Sequence, residues 1–191
     1  MRIQETPELS EQGFGRSWLG TPLTYLKAGR GEKLLFFVTG LHPEEEYLAE
    51  SFRKWTRDLR EALHGNGILG DCDLKVLLNR CTLCIFPCLN PDGIKIRKEG
   101  LPTNHPLRER VLRQTGNPDF STWEGNLRGV RLDQNFNVNW RENKQKDPDG
   151  AYGEFPESEP EVRAFCITVR QRKPAAIFLA SRGERQITLF E

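Results

Sequence analysis

His42-Pro43-Glu44-Glu45 places an imidazole and a carboxylate three positions apart. Both are good zinc ligands, and a tight turn can aim them at one ion. Two ligands do not complete a structural or catalytic zinc site. From its chemistry alone the pair has two readings: part of a metal site, or a surface histidine beside the acidic start of a helix. The other histidines are His64, at the far end of a predicted helix, and His105, in a long polar stretch; neither sits at a strand end. Cys81, Cys84 and Cys88 have a spacing that superficially suits a thiolate metal site. A strand through them points Cys81 and Cys84 to opposite faces. It leaves Cys84 and Cys88 on one face but about 13 Å apart, so ordinary buried cysteines are expected.

The elements around these residues follow from hydrophobic period and punctuation. Leu34 to Thr39 is a short apolar run between Gly31 and Gly40 and predicts a buried strand. Leu48, Phe52, Trp55, Leu59 and Leu63 then recur every three or four positions, the signature of one helical face. Glu44, Glu45 and Glu46 fall in the first turn, where exposed amide hydrogens favour negative charge. Residues 64–73 read as a loop, and Leu83 to Leu89 as a second strand closed by the turn sequence Asn90-Pro91-Asp92-Gly93. Residues 98–128 read as a polar insertion, Gly129 to Phe136 as a short apolar alternation and residues 141–157 as a second loop.

Ser158-Glu159-Pro160-Glu161 predicts a helix start, with Ser158 as cap and Glu161 closing a capping box. Val162, Phe165 and Val169 supply its buried stripe; Ala175 to Ala180 is a further strand, and Ile187 to Phe190 is apolar again. Strands separated by crossover helices predict an α/β fold with a mostly parallel or mixed sheet. Sites in such sheets form beyond the carboxyl ends of strands, where His42, Asp92 and Ala180 fall.

The 191 residues suit one hydrophobic core. Residues 1–12 are polar and are expected to form a flexible segment ahead of a domain over residues 13–191. Lysine and arginine total 28 against 27 acids, a net charge of +1 that gives no field favouring nucleic acid. No apolar run approaches the length of a bilayer span. Five cysteines, an odd number, argue against a fully paired extracellular framework, so a cytoplasmic setting is expected.

Several stretches together resemble one family. They are Gly40-Leu41-His42-Pro43-Glu44-Glu45, Asn90-Pro91-Asp92-Gly93, Gly129 to Phe136, Ser158-Glu159-Pro160-Glu161 and Leu179-Ala180-Ser181-Arg182-Gly183-Glu184. In this order they resemble the M14 zinc carboxypeptidases. Gly15-Arg16-Ser17 and Gly20-Thr21-Pro22-Leu23 look most like the bacterial branch that includes murein peptide amidase A. The resemblance implies a three-layer αβα, phosphorylase/hydrolase-like fold around a mixed eight-stranded sheet. It also implies one zinc held by a histidine, a glutamate three residues on and a distant histidine. Zinc would activate water, with a glutamate as general base, on a peptide substrate such as a γ-D-glutamyl-diaminopimelate peptide.

His42 and Glu45 match the first two ligands, and the distant histidine position falls on Ala180, whose methyl group cannot coordinate metal. The asparagine-arginine pair that reads a substrate carboxylate falls on Asp133 and Gln134. A fixed positive charge and a bidentate donor are thereby lost and a negative charge is added. Arg131 stands where the family often has aspartate, and Glu124 where it has an arginine near the oxyanion; Asn135 and Phe136 persist. Glu191 lies 11 positions after Ala180, before the positions of the family's closing tyrosine and general base. A sheet ending there would be truncated and would expose an edge for a partner. The expected function is a carboxypeptidase-like pseudoenzyme, inactive or severely impaired, that binds a peptide or protein, with zinc binding doubtful. The alternatives are a zinc-dependent carboxypeptidase or amidase, with Glu184 or Asp92 replacing the lost ligand, and a structural interaction protein.

Overall fold

The computed structural model describes residues 9–115, 119–148 and 150–182. Strand β1 (Leu9–Arg16) turns through residues 17–21 into β2 (Pro22–Ala28), and β3 (Lys33–Val38) follows. A 3-10 turn at Pro43–Glu45 leads into α1 (Glu46–His64). A short hairpin, β4 (Ile68–Leu69) and β5 (Cys72–Asp73), precedes α2 (Leu74–Arg80) and β6 (Cys81–Phe86). Helices α3 (Pro91–Glu99), α4 (Arg108–Thr115), α5 (Trp140–Lys146) and α6 (Pro160–Arg172) come next, and β7 (Ala176–Leu179) is the final described strand.

The main sheet runs β1-β2-β6-β3-β7. β1, β2 and β6 pair antiparallel in succession, whereas β6, β3 and β7 run parallel. All six residues of β6 are buried, as a central strand covered on both faces requires. On one face Cys81, Leu83 and Ile85 pack against Leu59 and Leu63 of α1 and Leu74 and Leu78 of α2. On the other, Cys84 and Phe86 pack against Val162 and Phe165 of α6. The period of two along the strand thus builds a three-layer αβα arrangement, as predicted. Phe86 anchors the second layer, stacked on Tyr25 with ring centroids 4.6 Å apart and edge-on to Phe165 at 5.4 Å. Burying such a ring is worth roughly 3 kcal/mol.

Several segments differ from their sequence reading. Residues 9–12, assigned to a flexible segment by their polarity, are the first half of β1 and pair with Tyr25 to Ala28. Residues 74–80, between the loop and the strand read from the sequence, form α2, which Asp73 caps by accepting from the amides of Lys75 (2.9 Å) and Val76 (3.1 Å). Asn90-Pro91-Asp92-Gly93 is a helix start: Asn90 accepts the Gly93 amide at 2.9 Å, and Pro91 needs no partner for a missing amide hydrogen. The insertion over 98–128 holds α4, and its Leu101, Val111, Phe120, Trp123 and Leu127 form a small core with Ile96 of α3. Those apolar residues are too widely spaced to show a period. The alternation over 129–136 is not a strand but a bend with one 3-10 turn at Leu132–Gln134, and residues 140–146 within the second loop are α5.

The helix over residues 160–172 starts one position later than predicted. Glu159 is its N-cap residue and no side chain caps it. The Ser158 hydroxyl donates to the Glu159 carboxylate instead. Cys81 and Cys84 do face opposite ways, whereas Cys88 lies past the strand end and packs on Ala49 and Ile94. The expected apolar run at 187–190 lies outside the described residues. The implied eight-stranded sheet has five strands among the described residues, and β7 lies at its edge with Ile177, Phe178 and Leu179 exposed. No described helix is long and apolar enough to cross a membrane.

Candidate functional site

The chain leaves β3 through Thr39-Gly40-Leu41-His42 and is forced into a tight bend. Gly40 has φ +70°, and a Cβ there would lie 3.0 Å from the Cys88 Cα, so only glycine fits without strain. His42 keeps an extended backbone, and the 3-10 turn from Pro43 brings Glu45 back beneath it. The Glu45 side chain is fully buried. Its Oε2 lies 3.5 Å from the His42 amide, a long contact. Its Oε1 accepts from the Ser181 hydroxyl at 2.5 Å and from the Arg182 amide at 2.9 Å.

Those donors are positioned by β7. The Ala180 amide donates to the Val38 carbonyl at 2.9 Å, and the Thr39 hydroxyl donates to the Ala180 carbonyl at 2.8 Å. The ends of β3 and β7 are therefore clamped side by side. The next two residues of β7's extension reach Glu45, and the Arg182 guanidinium pairs with Glu44 at 2.9 Å. The sequence signals no role for Ser181 and Arg182 beyond their adjacency to Ala180 at a strand end.

A chain of polar contacts runs outward from His42. Its Nδ1 lies 3.9 Å from Asp133, Asp133 lies 3.6 Å from Arg131, and Arg131 lies 3.6 Å from Glu124. At these lengths the pairs are loose and partly solvated, each worth under about 1 kcal/mol. The side-chain amide oxygen of Gln134 is buried without a donor among the described residues. Asn135 is committed to the scaffold. Its amide nitrogen donates to the Tyr152 carbonyl (2.8 Å), Ser158 (3.0 Å) and the Phe155 carbonyl (3.1 Å), and its oxygen accepts the Glu159 amide (3.0 Å). An apolar cavity of about 420 Å³ opens beside the bend, lined by Val38, Leu41, Leu89, Phe136, Val138 and Leu179.

Other candidate ligands sit elsewhere. Asp92 is buried and accepts from Ser17 (2.8 Å), Thr21 (2.9 Å) and the Leu19 amide (2.8 Å), all in the β1–β2 turn. His105 accepts the Leu107 amide at 3.2 Å. Burial pushes the thiols of Cys84, Cys88 and Cys166 up to about 11, so they are neutral near pH 7 and poor metal ligands. Glu184 and Glu191 lie outside the described residues. Among the described residues no three histidine, cysteine or acidic side chains gather where they could hold a metal.

A family model described as zinc carboxypeptidase, peptidase M14, matches residues 2–191. The chain belongs to this family. One relative, the γ-D-glutamyl-L-diamino acid endopeptidase 1 of Lysinibacillus sphaericus, is 27% identical over 172 residues, covering 87% of this chain and 43% of its own. The chain spans about half the length of the curated relatives it matches. Bovine thrombin-activatable fibrinolysis inhibitor in complex with tick carboxypeptidase inhibitor superposes with a TM-score of 0.61 at 18% identity, covering 90% of this chain and 52% of that one. Murein-tripeptide amidase MpaA of Escherichia coli O157 superposes with a TM-score of 0.50 at 21% identity, covering 92% and 62%. Both structures share the carboxypeptidase fold with this chain. Matches fall among bacterial and animal carboxypeptidases alike, so the murein amidase branch is not singled out.

Proposed function

We propose that this zinc carboxypeptidase-family chain is a pseudoenzyme whose cleft binds peptide without hydrolysing it. The observation that carries the reading is the state of Glu45. Its inner oxygen is already held by the Ser181 hydroxyl and the Arg182 amide, which follow directly on Ala180. A zinc ion would compete with two protein donors for that oxygen and would find a methyl group where the family resemblance places its third ligand. His42 and Glu45 alone do not fit the family's zinc, and no catalytic step is drawn through it. The charges support the same reading. Asp133 and Gln134 offer no fixed cation to a substrate carboxylate, and the nearby Arg131 guanidinium is shared between Glu124 and Asp133.

One observation favours hydrolysis: His42 and Glu45 remain on one turn, spaced as the family's first two ligands. Such an enzyme would be a zinc carboxypeptidase or amidase, and the relatives' names make γ-D-glutamyl murein peptides the class to assay. A third reading, an interaction protein, is favoured by the exposed Ile177, Phe178 and Leu179 on the edge strand. Calorimetric zinc titration of metal-stripped protein, with His42→Ala alongside, separates these readings. The pseudoenzyme reading expects no tight site that depends on His42. One tight site lost in His42→Ala, with zinc-dependent cleavage of a murein peptide, would overturn it. Peptide binding in the absence of zinc favours a cleft ligand over an edge-strand partner.

A further inference from the structure

Helix α3 carries Lys95 and Glu99 four positions apart on one face, a spacing that sets their β-carbons about 5–6 Å from each other. Opposite charges so placed commonly pair. These two do not, and among the described residues neither has another ion-pair partner, whereas Lys98 beside them is tied to Glu46 at 2.6 Å. Lysine ahead of glutamate is the weaker order for such a pair. Glu99 is the last residue of α3, where the helix already presents partial negative charge, so a cation is favoured beside it. Both side chains are exposed, which leaves their charges open to a ligand.

Lys95 and Glu99 line one cavity of about 540 Å³, which shares no lining residue with the cavity beside the Glu45 bend. A volume of this order suits a small molecule. Its floor is apolar, since Ile96 is fully buried and Leu101 is 5% exposed. Leu19 adds an apolar wall. It is 42% exposed at the tip of the β1–β2 turn, and its amide is fixed by Asp92 at 2.8 Å. Half-buried His105 lines the same cavity on a rigid turn: its amide donates to the Pro102 carbonyl (2.9 Å) and its carbonyl accepts the Arg108 amide (3.0 Å). Its Nδ1 accepts the Leu107 amide, so Nε2 carries the proton of the neutral ring and is a donor. That Nε2 has no acceptor among the described residues.

We propose that this cavity binds a free apolar α-amino acid as its zwitterion. The carboxylate lies against Lys95 and the Nε2–H of His105, the ammonium against Glu99, and the side chain over Leu19, Ile96 and Leu101. A ligand with one charge would leave the other protein charge unmatched at the cavity wall, and a ligand without an apolar body would leave the floor wet. A zwitterion with an apolar side chain satisfies all three features together.

The test is calorimetric titration of the full chain with L-leucine, with glycine, N-acetyl-leucine and leucinamide as separate probes. Leucine should bind saturably. Glycine lacks the side chain, N-acetyl-leucine the ammonium and leucinamide the carboxylate, and each should bind at least about tenfold more weakly, as expected for the loss of one charge-assisted bond or one buried side chain. Lys95→Gln and Glu99→Gln should each weaken leucine about tenfold. Leucinamide should be indifferent to Lys95→Gln, and N-acetyl-leucine to Glu99→Gln. Histidine-selective 15N labelling places the site: of the three histidines, only His105 should shift. The proposal falls if folded protein shows no saturable leucine binding, if either charge variant binds leucine like the parent, if glycine binds as tightly, or if leucine leaves the His105 signals unmoved. None of these residues lines the cleft beside His42, so a zinc site found there and failure of this one are separate outcomes.

Discussion

Two groups of buried carboxylates sit in this chain and solve the same problem differently. At the β3 bend, Glu45 stands alone and takes its donors from the extension of one neighbouring strand. Beneath the β1–β2 turn, Glu159 and Glu161 share donors, and Asp92 beside them accepts from Ser17, Leu19 and Thr21. Asn126 donates to Glu159 (2.7 Å) and Glu161 (3.2 Å), and Trp18 donates its indole to Glu159 (2.9 Å) and its amide to Glu161 (3.3 Å). Arg128 adds a cation 3.6 Å from Glu159 and lies over the Trp18 ring. The difference teaches that burial of an acid does not by itself mark a site. The triple cluster is a structural lock on a hairpin. Glu45 lies at a strand-end bend beside a cleft, and among the described residues its close donors are the Ser181 hydroxyl and the Arg182 amide.

The comparison breaks most visibly at Asn126. Its amide serves both acids, and its oxygen accepts the amides of Arg128 (2.9 Å) and Val130 (3.2 Å). Asn126→Ala should cost about 4 kcal/mol, because several buried groups lose partners together. Urea unfolding would read this as a lower midpoint, and a loss below about 1 kcal/mol would mean the cluster is not a lock.

The next effect is one of pH. Burial, with a smaller contribution from Asp92, pushes the Glu161 carboxyl up to about 7 from its ordinary 4.5, against the bonds from Asn126 and Trp18. The folded protein therefore holds a proton at pH values where the unfolded chain has released it. Stability from this group is present near pH 5 and falls as pH rises toward 8, by up to roughly 3 kcal/mol. Glu161→Gln, which mimics the protonated acid, should flatten that dependence in thermal unfolding at pH 5.5 and 8. An unchanged slope in the variant would assign the effect to other groups.

Smaller effects are expected at the bend. Ser181→Ala removes one of two donors to a single oxygen of Glu45 and should cost about 1.5 kcal/mol. Faster hydrogen exchange at the Arg182 amide would show that the clamp has loosened there, and unchanged protection would show that Ser181 contributes little. Asp133→Ala should change stability by less than about 0.5 kcal/mol, since its pairs with His42 and Arg131 are long and partly exposed. A larger loss in denaturant unfolding would make Asp133 part of the scaffold, as Asn135 is.

Legibility followed the range of the interactions. The strands of the parallel core were readable as short apolar runs bounded by glycines or turn residues, and helices α1 and α6 by apolar residues that recur with a period of about 3.6. The helix opened by Asn90-Pro91 was misread because the same residues suit a turn and an N-cap, and only the buried Gly93 amide decides between them. The core under the insertion was invisible because Ile96, Val111 and Trp123 meet only after the chain has folded back. The His42 and Glu45 pair was legible from spacing. The partners of Glu45 were not, because they lie 136 and 137 positions away.

Sequence alone determined the α/β class, the family resemblance and the chemical identities at positions 42, 45, 133, 134 and 180, because periodicity and residue type are local properties. Tertiary structure alone decided that Ser181 and Arg182 occupy the Glu45 carboxylate, and that Asn135 and Asp92 serve the scaffold. Those outcomes depend on which distant groups reach hydrogen-bonding distance once the strands are in register, and no residue's type or neighbours in the chain encode that distance.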